Sequence, residues 1–357
     1  MTRHLYVHVP FCAHRCGYCD FVTVTGREDE RARYVAALAA EVERADVAPE
    51  TIFVGGGTPS ILADPDLARL LAALPPAAEV TVECNPETVT PAKAQVLVEG
   101  GVTRVSLGAQ SFRPHLLEVL ERRARPEQIV AAVRVLRDAG IQSLNLDLIF
   151  GVPGQSGADL RADLDALVAL GPDHVSAYEL EAKPGTRFTH RHGRELERQA
   201  EAMEDYYEEV VGALRAAGYR WYETANFCRP GHECRHNLGY WLGHDYLGIG
   251  VGAVSTLGLE RRKNRPGLRG YLEAVEAGRR PPAEVELLTP SERGMERLML
   301  GLRLDVPLEL NGLAALVDHA ACERLADAGM LVRCDGALAL TERGRFLAND
   351  VVASVLR

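Results

Sequence analysis

Six short runs enriched in β-branched and apolar residues punctuate the first half of the chain, at 5–10, 51–55, 79–84, 103–109, 143–150 and 174–180. Each reads as a strand. The intervening runs 28–45, 64–73, 91–99, 126–139 and 157–170 carry helical periodicity, and Gly140 and Gly171 stand as helix stops. Strand and helix in strict alternation require parallel pairing with helical crossovers, so the chain is α/β, wound either as a barrel or as a doubly wound sheet. The polar residues choose between them. Cys12, the Gly55-Gly56-Gly57-Thr58 run, Glu83, Gln110 and Asp147 fall at or near the C-terminal ends of successive strands. A barrel gathers such residues on one rim, whereas a doubly wound sheet concentrates its ligand contacts at a single switch point. The expected architecture is a partial (βα)6 barrel.

After Leu180 the repeat fades. Residues 181–195 read as a loop and 197–217 as a helix. The stretch 219–257, dense in aromatics and glycines, reads as irregular or extended structure near the open end of the barrel. The basic run 261–280 reads as a solvated face. From Thr289 a different pattern begins: helices over 290–302 and 316–328, a hairpin turning at Asp335-Gly336, and a last helix over 341–355 capped by Thr341. That order is winged-helix-like, an α+β module. The expected division is a barrel over 1–220, a connecting region over 221–288 and the C-terminal module over 289–357.

The chain has 357 residues and carries 50 acidic against 40 basic side chains, a formal charge of −10 that works against binding nucleic acid. It has no apolar run long enough to span a bilayer, and its start lacks the apolar core of a signal peptide, so a cytoplasmic protein is expected. Eight cysteines in that setting are a poor disulfide framework. Of these, Cys84, Cys322 and Cys334 read as core residues.

Three of the eight lie within eight residues, Cys12-x3-Cys16-x2-Cys19, directly after the first strand. Structural zinc asks for four donors, usually as two spaced pairs. Three close thiolates suit three corners of a [4Fe–4S] cluster whose fourth iron stays open to a small chelating ligand.

With Tyr18 before the third cysteine, this spacing resembles the signature of the radical S-adenosylmethionine (SAM) enzymes. The resemblance implies that SAM chelates the open iron and that the reduced cluster cleaves it to a 5′-deoxyadenosyl radical. Further motifs are similar to those of the coproporphyrinogen III oxidase-like (HemN-type) family: Tyr6-Val-His-Val-Pro-Phe-Cys12, Gly55-Gly-Gly-Thr-Pro-Ser60, Glu83-Cys-Asn-Pro86, Leu107-Gly-Ala-Gln110-Ser-Phe112, Asn145-Leu-Asp147-Leu-Ile-Phe-Gly151 and Tyr222-Glu-Thr-Ala-Asn226. By that similarity SAM contacts are expected from Tyr6, Tyr18, Gly56, Gly57, Thr58, Glu83, Gln110, Arg122 and Asp147. The chemistry agrees for several of them. A carboxylate such as Glu83 accepts hydrogen bonds from ribose hydroxyls, and Arg122 can grip a carboxylate with two donors.

Two branches of that family compete. One is the oxygen-independent coproporphyrinogen III dehydrogenase, an enzyme that uses the radical to decarboxylate propionates. The other is a haem chaperone of the HemW type, a binding protein that holds haem and passes it to an acceptor. The dehydrogenases carry a further cysteine two positions after the third, where this chain has Phe21, and an N-terminal arm before the first strand. The absence of both from this chain, which has only four residues before its first strand, favours the chaperone, leaning away from an enzyme. His236-Asn237-Leu-Gly-Tyr240-Trp241 matches the His-Asn-x-x-Tyr motif of the chaperones, which implies His236 as a haem ligand, with Tyr240 and Trp241 able to pack on a flat macrocycle. Cys228, His232 and Cys234 nearby are further donors without an assigned role. Ala124 and Val254 stand where relatives show histidine. The implied partners are haem, an acceptor protein of unknown identity, and transient contact with membrane-bound haem acceptors. A radical SAM enzyme acting on some other substrate is the remaining alternative.

Overall fold

The computed structural model describes residues 2–182 and 187–357. Strands β1 (His4–Val9), β2 (Thr51–Gly56), β3 (Glu79–Cys84), β4 (Arg104–Gln110), β5 (Ser143–Phe150) and β6 (His174–Glu179) lie side by side in chain order, every neighbouring pair parallel. The crossovers carry α1 (Arg31–Ala45), α2 (Asp64–Ala72), α3 (Pro91–Glu99), α4 (Pro114–Val119), α5 (Pro126–Asp138) and α6 (Gly157–Leu170). This is the expected (βα)6 partial barrel. Its helices begin and end where local chemistry directs. At α6 the Ser156 hydroxyl accepts from the Asp159 amide while the Asp159 carboxylate accepts from the Ser156 amide, and Gly171 closes the helix at φ 59°.

The six strands share one alternation. Leu5, Val7 and Val9 of β1, Ile52 and Val54 of β2, Val80 and Val82 of β3, and Leu144, Leu146, Leu148 and Phe150 of β5 are buried in the layer between sheet and helices. Each fully buried side chain of this kind contributes about 1.5–3 kcal/mol. The opposite positions are mostly polar: Tyr6, Glu83, Ser106, Asn145, Asp147, His174 and Ser176 line the space inside the sheet. Cohesion therefore lies on the outer face and chemistry on the inner one.

The sheet does not close on itself. Beyond α7 (Arg187–Ala200) and α8 (Met203–Ala216), strands β7 (Arg220–Trp221) and β8 (Asn226–Cys228) extend it antiparallel from β6. After α9 (Arg235–Trp241), strand β9 (Tyr246–Ile249) runs parallel beside β1, and β10 (Val254–Leu257), β11 (Glu260–Asn264) and, past α10 (Leu268–Glu276), β12 (Ala283–Leu287) complete a twelve-stranded sheet.

Several expectations are corrected here. The segment expected as a loop over 181–195 is helical from Arg187, while 183–186 lie outside the described residues. The region 221–288 contributes six strands or strand ends on both flanks of the barrel rather than simply connecting two modules, since β7 also begins at Arg220. Its helix α9 packs against the first residues of β1, β2 and β3, at the end opposite the cysteines, not at the open end. The aromatic-rich stretch expected as irregular or extended is extended in part, carrying β7 to β10, strands of two to four residues that are too short to display a period of two. The basic run keeps Lys263, Arg265, Arg269, Arg279 and Arg280 exposed, as expected of a solvated face, and it also supplies β11, where Arg261 pairs with Glu296 at 2.8 Å.

The C-terminal module comprises α11 (Pro290–Gly301), β13 (Leu308–Glu309), α12 (His319–Asp327), β14 (Leu331–Cys334), β15 (Ala337–Leu340), α13 (Glu342–Phe346) and α14 (Ala348–Val355). Its three strands form a separate sheet, and Leu298, Leu313, Cys322, Leu338 and Val352 belong to a core of its own. The hairpin turns at Asp335-Gly336 with Gly336 at φ 75°. The helix expected over 341–355 is broken in two at Leu347. Cys334 is exposed, against the expectation of a core residue, whereas Cys84 and Cys322 are buried. Arg220 joins the module to the barrel through two hydrogen bonds to Asp305, at 2.6 and 2.7 Å, and the Arg345 guanidinium stacks 3.6 Å from the centroid of the Trp221 ring.

Candidate cluster and cofactor site

A cavity of about 460 Å³ runs through the barrel from the cysteine loop at the strands' C-terminal ends down to α9 at the floor. Cys12, Cys16 and Cys19 line its mouth as free, partly exposed thiols, and a turn from the Cys19 amide to the Cys16 carbonyl at 3.1 Å holds the last two. Among the described residues no three donors of the His, Cys, Asp or Glu type are close enough to share one metal ion. Thiolates that ligate three different irons need no such convergence. Burial pushes the Cys12 thiol up to about 11, against the Thr58 hydroxyl 3.7 Å from its sulfur.

The glycine turn after β2 is fixed by its own amides. The Gly56 N–H donates to Glu83 Oε2 at 2.9 Å, the Gly57 N–H to the Val9 carbonyl at 2.8 Å, and the Thr58 N–H to the Phe11 carbonyl at 2.8 Å. With three successive amides committed, the turn has only carbonyl oxygens left to offer a ligand, which suits an ammonium group. Gly56 stands at φ 110°, and a Cβ at Gly57 would lie 2.6 Å from the Pro10 carbonyl carbon, so glycine is required at both.

Around the cavity the remaining expected residues meet. Glu83 is pushed up to about 7 by burial, with the Gly56 amide opposing and the charge of Asp147 adding to the rise. Asp147 accepts from Asn145 Nδ2 at 2.7 Å and from Ser106 Oγ at 3.3 Å, and burial raises it as well. Arg122 donates to Asn85 Oδ1 at 2.7 Å and to the Gly108 carbonyl at 3.1 Å. Gln110 adopts φ 66° at the end of β4, and its Oε1 is buried without a partner among the described residues. Tyr6 reaches His8 Nδ1 at 3.0 Å, and Tyr18 stands edge-on to Phe188. Asn85 was not singled out in the sequence, although it sits in the quoted Glu83-Cys-Asn-Pro86 motif. Its side chain bridges Arg122 and Thr58 Oγ1, thereby linking the segments that follow β2, β3 and α4.

His236 is placed differently from its expected role. It sits on α9 at the floor, 1% exposed, with Nδ1 at 2.8 Å from Thr51 Oγ1 and Nε2 at 3.0 Å from the Tyr240 hydroxyl. Both ring nitrogens are engaged, so in this conformation neither is available to haem iron. Burial depresses it to about 3. The Glu79 carboxylate accepts from the amides of Arg235 and His236 at 2.9 Å each, anchoring the start of α9. The neighbouring donors do not converge: Cys228 lies in β8, His232 meets Ser143 Oγ, and Cys234 points at Glu79.

Residues 6–167 match the radical SAM superfamily. A radical SAM barrel implies a [4Fe–4S] cluster and SAM, and the residues present fit both: three thiols at the mouth, a carbonyl-presenting glycine turn, and an unpartnered Gln110 oxygen in the wall. The structure superimposes on coproporphyrinogen III oxidase (HemN) from Escherichia coli with a TM-score of 0.83, covering 99% of this chain and 89% of that one at 23% identity, a likeness of fold. Among sequence relatives, the heme chaperone HemW of Mycobacterium tuberculosis is 42% identical over 99% of this chain and 94% of its own length. The heme chaperone HemW of Escherichia coli is 34% identical over 98% and 96%. Similarity of that extent, carried on a barrel whose rim bears the cysteine triplet, establishes that the chain belongs to the HemW family within the radical SAM superfamily.

Proposed function

We propose that this protein is a haem chaperone that binds haem and passes it to an acceptor protein, and that Cys12, Cys16 and Cys19 hold a [4Fe–4S] cluster with SAM at its open iron. The observation that carries the reading is the near-complete alignment with proteins named heme chaperone HemW, including one of Bacillus subtilis at 30% identity over 99% of both chains. Within the site, SAM would be held by Tyr6, Tyr18, the turn Gly56, Gly57 and Thr58, and the side chains of Glu83, Gln110, Arg122 and Asp147. Phe21 supports the chaperone over the dehydrogenase: it lies at the mouth of the cavity, 64% exposed, where the dehydrogenases would place a further cysteine. No helix among the described residues is long and apolar enough to cross a membrane.

The test is to load the full chain with its cluster anaerobically, titrate it with haem while following the Soret band, and assay coproporphyrinogen III decarboxylation with SAM and a reductant. Haem binding without decarboxylation is expected. Decarboxylation at enzymatic rates would replace the chaperone by the dehydrogenase, and the lack of any haem-dependent spectral change would end the chaperone reading.

A further inference from the structure

Arg104 opens β4 with its side chain turned into the barrel, on the rung Thr81–Arg104–Ser143 that the parallel register sets. It is 3% exposed and lines the barrel cavity low in the lumen, in the part lined also by Cys234, His236 and Asn237. Its Nη1 donates to Ser143 Oγ at 3.0 Å and to the His232 carbonyl at 3.1 Å, both neutral acceptors. Nε and Nη2 have no partner among the described residues.

A guanidinium stays charged at every ordinary pH, and a buried charge without a counterion is strongly unfavourable. No carboxylate among the described residues supplies one. At the floor, Glu79 accepts from the amides of Arg235 and His236, and Glu223 from the Ala225 amide at 3.0 Å and from the side chains of Asn226 and Asn237. Glu83 shares the rung of Ser106, about 7 Å above Arg104, and accepts from Gly56. Asp147 stands a rung higher again and accepts from Asn145 and Ser106. The charge of Arg104 is felt instead by neutral groups: His174 is held well below the ordinary imidazole range, by burial first and by this guanidinium second. The lumen is therefore polarised along its length, with carboxylates in its upper half and an uncompensated cation near its base.

From this geometry we infer that the base of the lumen is a carboxylate-binding subsite, with Arg104 Nε and Nη2 as the receiving pair, for a ligand that enters from the cysteine mouth with its anionic end first. That edge of a guanidinium matches the two oxygens of a carboxylate. The subsite uses none of the residues expected to hold SAM. Two sources carry the chemistry. One is a propionate of haem, and this source alone rests on the haem-chaperone reading. The other is a free small dicarboxylic acid.

The cluster-loaded full chain is titrated anaerobically with ferric haem b and with its dimethyl ester, following the Soret band, as wild type, Arg104→Met and Arg104→Lys. The same three proteins are melted with succinate, with neutral succinamide, and with sodium chloride at matching ionic strength. With haem as the source, wild type is expected to bind haem b roughly tenfold or more tightly than the ester, and Arg104→Met to lose that preference. With a free acid as the source, succinate, and neither succinamide nor chloride, is expected to raise the wild-type melting temperature while leaving that of Arg104→Met unmoved. Arg104→Lys keeps the charge and loses the fork, so it is expected to fall between the two in either case, and it locates the subsite if Arg104→Met does not fold. The inference is overturned if wild type shows neither preference, or if the preference it shows survives undiminished in the variants. Failure of wild type to bind haem removes the chaperone reading and leaves the succinate comparison to decide the subsite alone.

Discussion

The Gly56 amide donates to Glu83 Oε2 at 2.9 Å, so the glycine turn after β2 is held by a carboxylate at the end of β3 that burial has raised to about 7. Its folded value lies above the 4.5 of the free side chain, so the native state retains a proton that the unfolded chain has released. Stability from this group is greatest below pH 4.5 and falls as pH rises through 7, by up to about 3 kcal/mol. Glu83→Gln keeps an acceptor for Gly56 and removes the charge. The cofactor-free variant is expected to melt higher than wild type at pH 8 and level with it below pH 5, while binding SAM more weakly. Parallel melting curves across that range would contradict the burial argument.

Thr51 is the single hydroxyl between two buried imidazoles. Thr51→Val preserves shape and leaves His4 Nδ1 and His236 Nδ1 without a partner, and a buried unsatisfied group costs about 1–3 kcal/mol. The expected loss in urea unfolding is on the order of 2–4 kcal/mol. Thr51→Ser retains the hydroxyl and should recover most of it; equal losses in the two variants would assign the effect to packing of the methyl group.

Five cysteines line the barrel cavity, Cys234 at its floor among them, and the four nearest the rim should not behave alike. Replacing Cys12, Cys16 or Cys19 with Ala is expected to abolish the iron content and visible absorption of the anaerobically reconstituted protein. Cys84→Ala should retain both, because Cys84 is buried at the end of β3, outside the mouth loop. Iron analysis of the four variants distinguishes a three-thiol site from one that recruits Cys84.

Gly57→Ala would drive a methyl group into the backbone of Pro10, 2.6 Å away, directly before the cysteine loop. Neither backbone can yield without breaking the Gly57 amide bond to Val9, so the expected destabilisation is about 2 kcal/mol or more. Because the strain falls on the segment leading into Cys12, iron retention should decline even where the fold survives. A variant as stable as wild type and fully loaded with iron would show that the turn has room to move.

The barrel was legible because its strands are long enough to show their nature and because its polar residues mark one rim. The runs containing β1 to β6, and α6 with its Ser156 start and Gly171 stop, follow from local chemistry. The flank strands β9 to β12 were not legible, since Glu260–Asn264 is strongly polar and acquires its identity from pairing with Val254–Leu257 on one side and Ala283–Leu287 on the other. The motif around His236 could be read as a motif, but its position could not. Spacing gives no indication that α9 would close the floor, or that Thr51, almost two hundred residues earlier, would occupy one of its ring nitrogens. Asn85 escaped for a similar reason: its importance lies in reaching Arg122 and Thr58 at once, a property of the assembled rim.

The strands of this barrel turn their apolar side chains outward to the helices and their polar ones inward. Shell and lumen are consequently separable: a change on one face need not disturb the other. A change at Ser106, Asn145 or Ser176 alters what the interior can hold while the Leu and Val layer that keeps the sheet together is left as it was. One scaffold can therefore serve turnover in one lineage and carriage in another, with the difference written on surfaces that do not set whether the protein folds.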